Sequence, residues 1–159
     1  MSSTADSPAA TIATLRESLC SETTPLPVRF RALFSLKHLS THSEEEHVLA
    51  AIDAIAAAFV SDSALLKHEL AYCLGQSGNL AAREPLCKVL SNLDEDPMCR
   101  HEAAEALGAL GDAGSLEILR KFRDSKDECV AVKETCELAV DRIEWENSKE
   151  RHEEKLRQR

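Results

Sequence analysis

This sequence is poor in the residues that interrupt helices, with five glycines and five prolines in 159 residues. Aromatics make up only 4% of it, while Ala, Leu and Glu are abundant, and an all-α fold is expected. Basic residues are outnumbered by acidic ones, 19 to 28, for a net charge of −9. Nucleic acid is therefore excluded as a partner, because neutralising phosphates needs a basic surface. A cationic substrate or basic partner suits this charge better. Long apolar runs are missing too. The most apolar stretch, Ala50 to Val60, is too short for a bilayer and is broken by Asp53, so no membrane association is expected. The start, Met1 to Asp6, has neither the basic residues nor the apolar run of a secretory signal. The six cysteines form no CxxC pair and no regular spacing, which argues against a zinc ribbon or disulfide framework. Cys73, Cys99 and Cys136 fall on apolar stripes, as small core residues do, and a reducing, cytoplasmic setting is expected.

What the chain does have is an internal repeat. Lys67-His68-Glu69 is followed by an apolar helical run ending in Leu74-Gly75, and Arg100-His101-Glu102 by one ending in Leu107-Gly108. All these matched residues are 33 positions apart, and Lys133 lies a further 33 after Arg100. A period of this length is the signature of a helical solenoid. Its corresponding positions are Phe30-Arg31 in a first repeat and Glu134-Thr135 in a fourth, so only the middle two repeats carry His-Glu.

Helical geometry says where the pairs point. At about 100° per residue, Cys99, Ala103, Ala106, Leu107 and Leu110 share one face, as do Leu66, Leu70, Cys73 and Leu74. His101 lies about 160° from Ala103, with Glu102 about 100° to one side and Glu105 further round on that side. Both His-Glu pairs are thus expected off the core face. Helices stacked about 8–10 Å apart would let two imidazoles reach one ion, with Glu carboxylates on the same ridge. A metal or acid/base role for the pairs competes here with plain solvated side chains.

Taken in order, residues 1–8 are expected to be disordered, 9–145 to form the repeat domain and 146–159 a charged helical tail or the start of a linker. Helices are expected over 9–19, 28–38, 47–60, 63–76, 80–91, 96–110, 114–123 and 130–143, about four helix pairs in all. Ser43 with Glu46 has the form of a capping box, Gly75 and Gly78 read as helix stops, and Trp145 is placed over the end of the stack. His38, His42 and His47 read as solvated histidines around a loop rather than as zinc ligands. His152-Glu153 repeats the dipeptide without the apolar run that positions the other two.

The segments Ala64 to Gln76, Arg100 to Gly108 and Glu134 to Val140 resemble deoxyhypusine hydroxylase in its amino-terminal half, and the likeness runs from about Val28 to Trp145. The resemblance implies a HEAT-like superhelix of two similar halves, each carrying two His-Glu pairs, around a non-haem diiron centre. It implies an O₂-dependent monooxygenase of hypusine biosynthesis that acts on the deoxyhypusine side chain of the precursor of translation initiation factor 5A. By position, His68 and His101 would be Fe(2+) ligands in a site of two irons when complete. Glu69 and Glu102 would be the carboxylates of the metal site, Glu69 as a ligand or facing the substrate and Glu102 beside the ligands or facing the substrate. This sequence has two of the four pairs, so two irons need either a homodimer or a missing carboxy-terminal half.

The residue chemistry agrees, since imidazole and carboxylate ligation suits non-haem iron and helical scaffolds commonly project His and Glu to such centres. Glu69, Glu102 and Glu105 would attract the cationic nitrogens of a polyamine side chain. Metal occupancy is expected to fall as pH drops through the histidine range. The competing expectation is a metal-free helical-repeat scaffold, or an inactive half, that binds a basic partner through an acidic groove.

Overall fold

In a computed structural model the described residues, 7–158, form nine α-helices and no strands. They are α1 (Pro8–Cys20), α2 (Leu26–His42), α3 (Glu45–Ala57), α4 (Ala64–Gln76), α5 (Arg83–Ser91), α6 (Pro97–Leu110), α7 (Leu116–Asp124), α8 (Val130–Glu146) and α9 (Lys149–Arg157). The all-helical repeat architecture expected from the 33-residue period is what is found. No helix among the described residues is long and apolar enough to cross a membrane.

Residues 1–6 lie outside the described set. The Ser7 side chain accepts from the Ala10 amide and caps α1, so Ser7 and Pro8, expected to be disordered, are structured. Helix α2 runs four residues past its expected end because neither Gly nor Pro interrupts the chain before Ser43. His38 and His42 are consequently on a helix rather than in a loop, with their rings stacked 4.3 Å apart. The capping box does not form. Glu44 takes the cap position of α3, without a side-chain cap hydrogen bond. By contrast, Ser63 and Asp96 do cap α4 and α6, accepting from the amides of Leu66 and Met98.

Helices α2, α4, α6 and α8 lie side by side in one layer, while α1, α3, α5 and α7 make the other. Across the layers α5 packs chiefly on α6 and α7 on α8, the first helix of the following repeat, whereas α3 packs chiefly on its own partner α2. The core between the layers contains Leu33, Ile55, Leu66, Leu70, Leu86, Leu107, Leu119 and Ile143, all fully buried. Trp145, near the end of α8, is 45% exposed. The tail helix α9 buries none of its residues.

Gly75 does not stop a helix either. It sits inside α4 against α6, where an added Cβ would come within 2.8 Å of the Ala106 Cβ and 2.9 Å of its Cα. Gly108 makes the same approach to Ala139 one repeat later. These paired Gly–Ala contacts draw α4, α6 and α8 together and set how close side chains on their outer ridges can come. The stops are supplied by Gly78 and Gly111, whose φ values of 62° and 70° fall in the left-handed region that glycine tolerates.

Candidate metal centre

The residue before each His-Glu pair fixes the roll of its helix. The Arg100 guanidinium bonds Glu128 through two hydrogen bonds, of 2.8 and 2.6 Å, while its Nε donates to the Leu90 carbonyl at 3.0 Å. Lys67 Nζ makes the matching contact to Glu95 at 2.6 Å. Both acids follow their partner by 28 residues and come from the stretch leading into the next repeat's first helix. The first repeat varies the device, with Arg29 donating to the Leu19 carbonyl and to Glu22. With the basic residue clamped on one side, the histidine that follows is turned toward the opposite ridge.

On that ridge His68 and His101 face one another across the α4–α6 seam, with ring centroids 5.8 Å apart. His68 Nε2 lies 3.1 Å from Glu102 Oε2, and His101 Nε2 lies 3.9 Å from the same oxygen. Two imidazoles and one carboxylate therefore offer three ligand atoms within 4.8 Å of one another, a grouping able to hold a metal ion. Such atoms lie about 3 Å apart around a small divalent cation bound at about 2.1 Å, so rotamer adjustments would close the set.

The two glutamates are not equivalent. Glu102 is buried, whereas both histidines and Glu69 keep roughly a quarter of their side chains exposed. The expectation that both pairs sit off the core is corrected for Glu102. Helix α6 is an inner helix of its layer, and α4, α5 and α8 all pack around it. Burial raises the Glu102 carboxyl above the usual carboxylate range, His68 opposes this, and Glu105 and Glu69 add to it. Glu69 stands behind His68, its Oε2 4.0 Å from Nδ1, and is not one of the three clustered donors. Glu105 is exposed.

Thr135, on α8, occupies the position where the earlier repeats have Glu69 and Glu102. Its hydroxyl lies 3.3 Å from His101 Nδ1. Sequence reasoning took this position as one where the pair had been lost. The signal for it, as for Glu95 and Glu128, is a constant offset between repeats rather than a shared dipeptide.

The buried thiols of Cys73, Cys99 and Cys136 are pushed up to about 12 by burial. They are protonated at neutral pH and act as core residues rather than thiolate ligands. A cavity of about 650 Å³ lies on the other side of the molecule, lined by Leu49, Ile52, Asp53, Phe59, Pro85 and Val89, and shares no residue with the cluster. The cluster itself is on an open ridge. Leu65 and Met98 are exposed one turn before the histidines, and Tyr72 and Leu138 one turn beyond the histidine positions of α4 and α8.

This is a repeat protein with a two-histidine, one-carboxylate grouping on the seam between two repeats. A HEAT-repeat family profile matches residues 52–136, and the chain belongs to that family. Its curated relatives agree with the likeness read from the His-Glu segments. It is 70% identical to a deoxyhypusine hydroxylase of Neurospora crassa over 94% of this chain and 46% of that protein. It is 63% identical to a deoxyhypusine hydroxylase of Gibberella zeae over 99% of this chain and 46% of that one. The solved structure of human deoxyhypusine hydroxylase in complex with glycerol matches with a TM-score of 0.79 at 44% identity, covering 91% of this chain and 46% of that chain. The chain thus spans about half the length of the curated relatives it matches.

Proposed function

We propose that this chain is one half, the amino-terminal one, of a deoxyhypusine hydroxylase and supplies one iron-binding face of its catalytic centre. The observation that carries this reading is the convergence of His68, His101 and Glu102 within 4.8 Å, in a chain so close in sequence to that enzyme. Two imidazoles and one carboxylate suit non-haem iron(II), because they leave coordination positions open. Iron bound there would supply the activation of O₂ that hydroxylating a carbon requires.

The chain's own side chains have separate tasks. His68 and His101 present ring nitrogens as donors, and Glu102 adds the negative charge that holds a divalent cation on a partly exposed ridge. Glu69 stands behind His68, its Oε2 4.0 Å from Nδ1, and adds negative charge beside that ring. Glu69 and Glu105 face outward and attract the cationic nitrogens of the deoxyhypusine side chain on the precursor of translation initiation factor 5A.

One such triad provides for one iron, so two irons require two faces, from a second copy or from the remaining half of a longer protein. The exposed Leu65, Met98, Tyr72 and Leu138 around the ridge suit being covered in this way. Six free cysteines fit a reducing compartment such as the cytoplasm.

The test is turnover. The chain, alone and together with the complementary half of a relative, is loaded with iron and given deoxyhypusine-bearing substrate, O₂ and a reductant. Hypusine formed by the wild type and lost in His101→Ala supports the reading, and no product from either preparation overturns it.

A further inference from the structure

We propose that Thr135 is a positioning residue for His101, holding its imidazole as the Nδ1–H tautomer so that Nε2 faces the Glu102 side with a free lone pair. As a statement about a metal donor this rests on the proposed iron site. As a statement about the imidazole it stands alone.

The argument is one of counting hydrogens. The Thr135 hydroxyl lies 2.6 Å from the Ala131 carbonyl oxygen, one turn earlier on α8. A carbonyl oxygen only accepts, so the single hydroxyl hydrogen is committed to that bond. What Thr135 Oγ1 turns toward His101 Nδ1, 3.3 Å away, is therefore a lone pair. An unprotonated Nδ1 would oppose lone pair to lone pair, whereas a protonated one makes a hydrogen bond. In the neutral ring the proton then sits on Nδ1, and Nε2 is left unprotonated 3.9 Å from Glu102 Oε2.

Without the threonine acceptor, the proton would move to Nε2, where the Glu102 carboxylate is the nearest acceptor. His68 Nε2 already lies 3.1 Å from that oxygen. Two imidazole N–H groups would then close on one carboxylate, leaving neither Nε2 ready to bind a cation. A hydroxyl at 135 avoids this without adding a further negative charge beside Glu69, Glu102 and Glu105, as a third repeated glutamate would. Partners of this kind, placed behind a ligating histidine, commonly change metal affinity by about 10–100-fold.

The variants are Thr135→Val, which keeps the shape and removes the acceptor, and Thr135→Ser, which restores it. Imidazole nitrogen shifts and long-range N–H couplings of the metal-free protein are measured at neutral pH, with His101→Gln to assign the resonance, and the unfolding midpoint of each variant is recorded. The wild type and Thr135→Ser should show the Nδ1–H form of His101, and Thr135→Val the Nε2–H form, with near-identical unfolding midpoints. Anaerobic titration with ferrous iron should give about tenfold weaker binding in Thr135→Val and near wild-type binding in Thr135→Ser. An unchanged His101 tautomer in Thr135→Val overturns the proposal, whatever the iron titration gives. A wild type that takes up no ferrous iron sinks the metal reading instead, while the metal-free spectra still decide whether Thr135 governs His101.

Discussion

Replacing Gly75 with alanine tests whether the close approach of α4 and α6 shapes both the fold and the cluster. The new Cβ would meet the Ala106 Cβ at 2.8 Å and its Cα at 2.9 Å, against about 3.4 Å for ordinary contact, so the helices must part by roughly 0.6 Å. Neither obstacle is the end of a flexible side chain that could swing away. Overpacking of this kind costs about 1–3 kcal/mol, and alanine returns about 1 kcal/mol of helix propensity. The net expectation is a loss of about 1 kcal/mol, or a fall of roughly 2–4 °C in Tm for a chain of this size. The same seam carries His68 on one helix and His101 and Glu102 on the other, so ferrous iron affinity should fall together with stability. Denaturant unfolding and anaerobic iron titration of the variant provide the two readings. A Gly75→Ala protein as stable as the wild type, with unchanged iron affinity, would refute the claim that this contact sets the spacing.

Other perturbations separate the structural and chemical roles of neighbouring residues. Glu128→Ala leaves the Arg100 guanidinium buried without its partner and should cost about 3 kcal/mol at neutral pH. Its hydrogen bond from Arg100 holds the Glu128 carboxyl below the usual range. The pair's contribution is therefore complete above the ordinary carboxylate pKa of about 4.3 and is lost as pH falls through the depressed folded value. Denaturation followed against pH should show a flatter acid limb in the variant than in the wild type. Glu102→Gln should remove iron binding while leaving the metal-free protein as stable or more so, because burial disfavours the carboxylate it replaces; a large drop in Tm would instead make Glu102 a structural residue. Gly111→Ala places a side chain at φ 70° with open space around it, and a loss of about 1 kcal/mol in unfolding free energy is expected from backbone strain alone.

Much of the site could be read from one regularity. A period of 33 residues aligned His68 with His101, and counting around single helices placed Leu66, Leu70, Cys73, Cys99, Ala103 and Leu107 in the core, where they are. A wheel drawn on one helix carries no information about neighbours, however. Glu102 looked exposed because nothing in α6 alone says that α4 and α8 flank it on both sides. Gly75 and Gly78 read alike as helix stops, although one is a packing glycine inside a helix and the other adopts positive φ. Ser43 satisfied a capping pattern that Glu44 pre-empted by starting α3 one residue later. Thr135 was passed over because the repeat was followed by its dipeptide rather than by what each position touches. Longer-range partners, such as Glu128 for Arg100, became visible only once successive repeats were stacked.

The most direct test is the iron content of protein purified anaerobically with ferrous iron, measured beside its mass in solution and beside a His68→Ala, His101→Ala double variant. About one iron per chain in the wild type is predicted, with loss of the metal and retention of helical content in the double variant. Wild-type protein that is folded and takes up no stoichiometric iron, or a double variant that holds as much iron as the wild type, would contradict the assignment of this ridge as a metal centre.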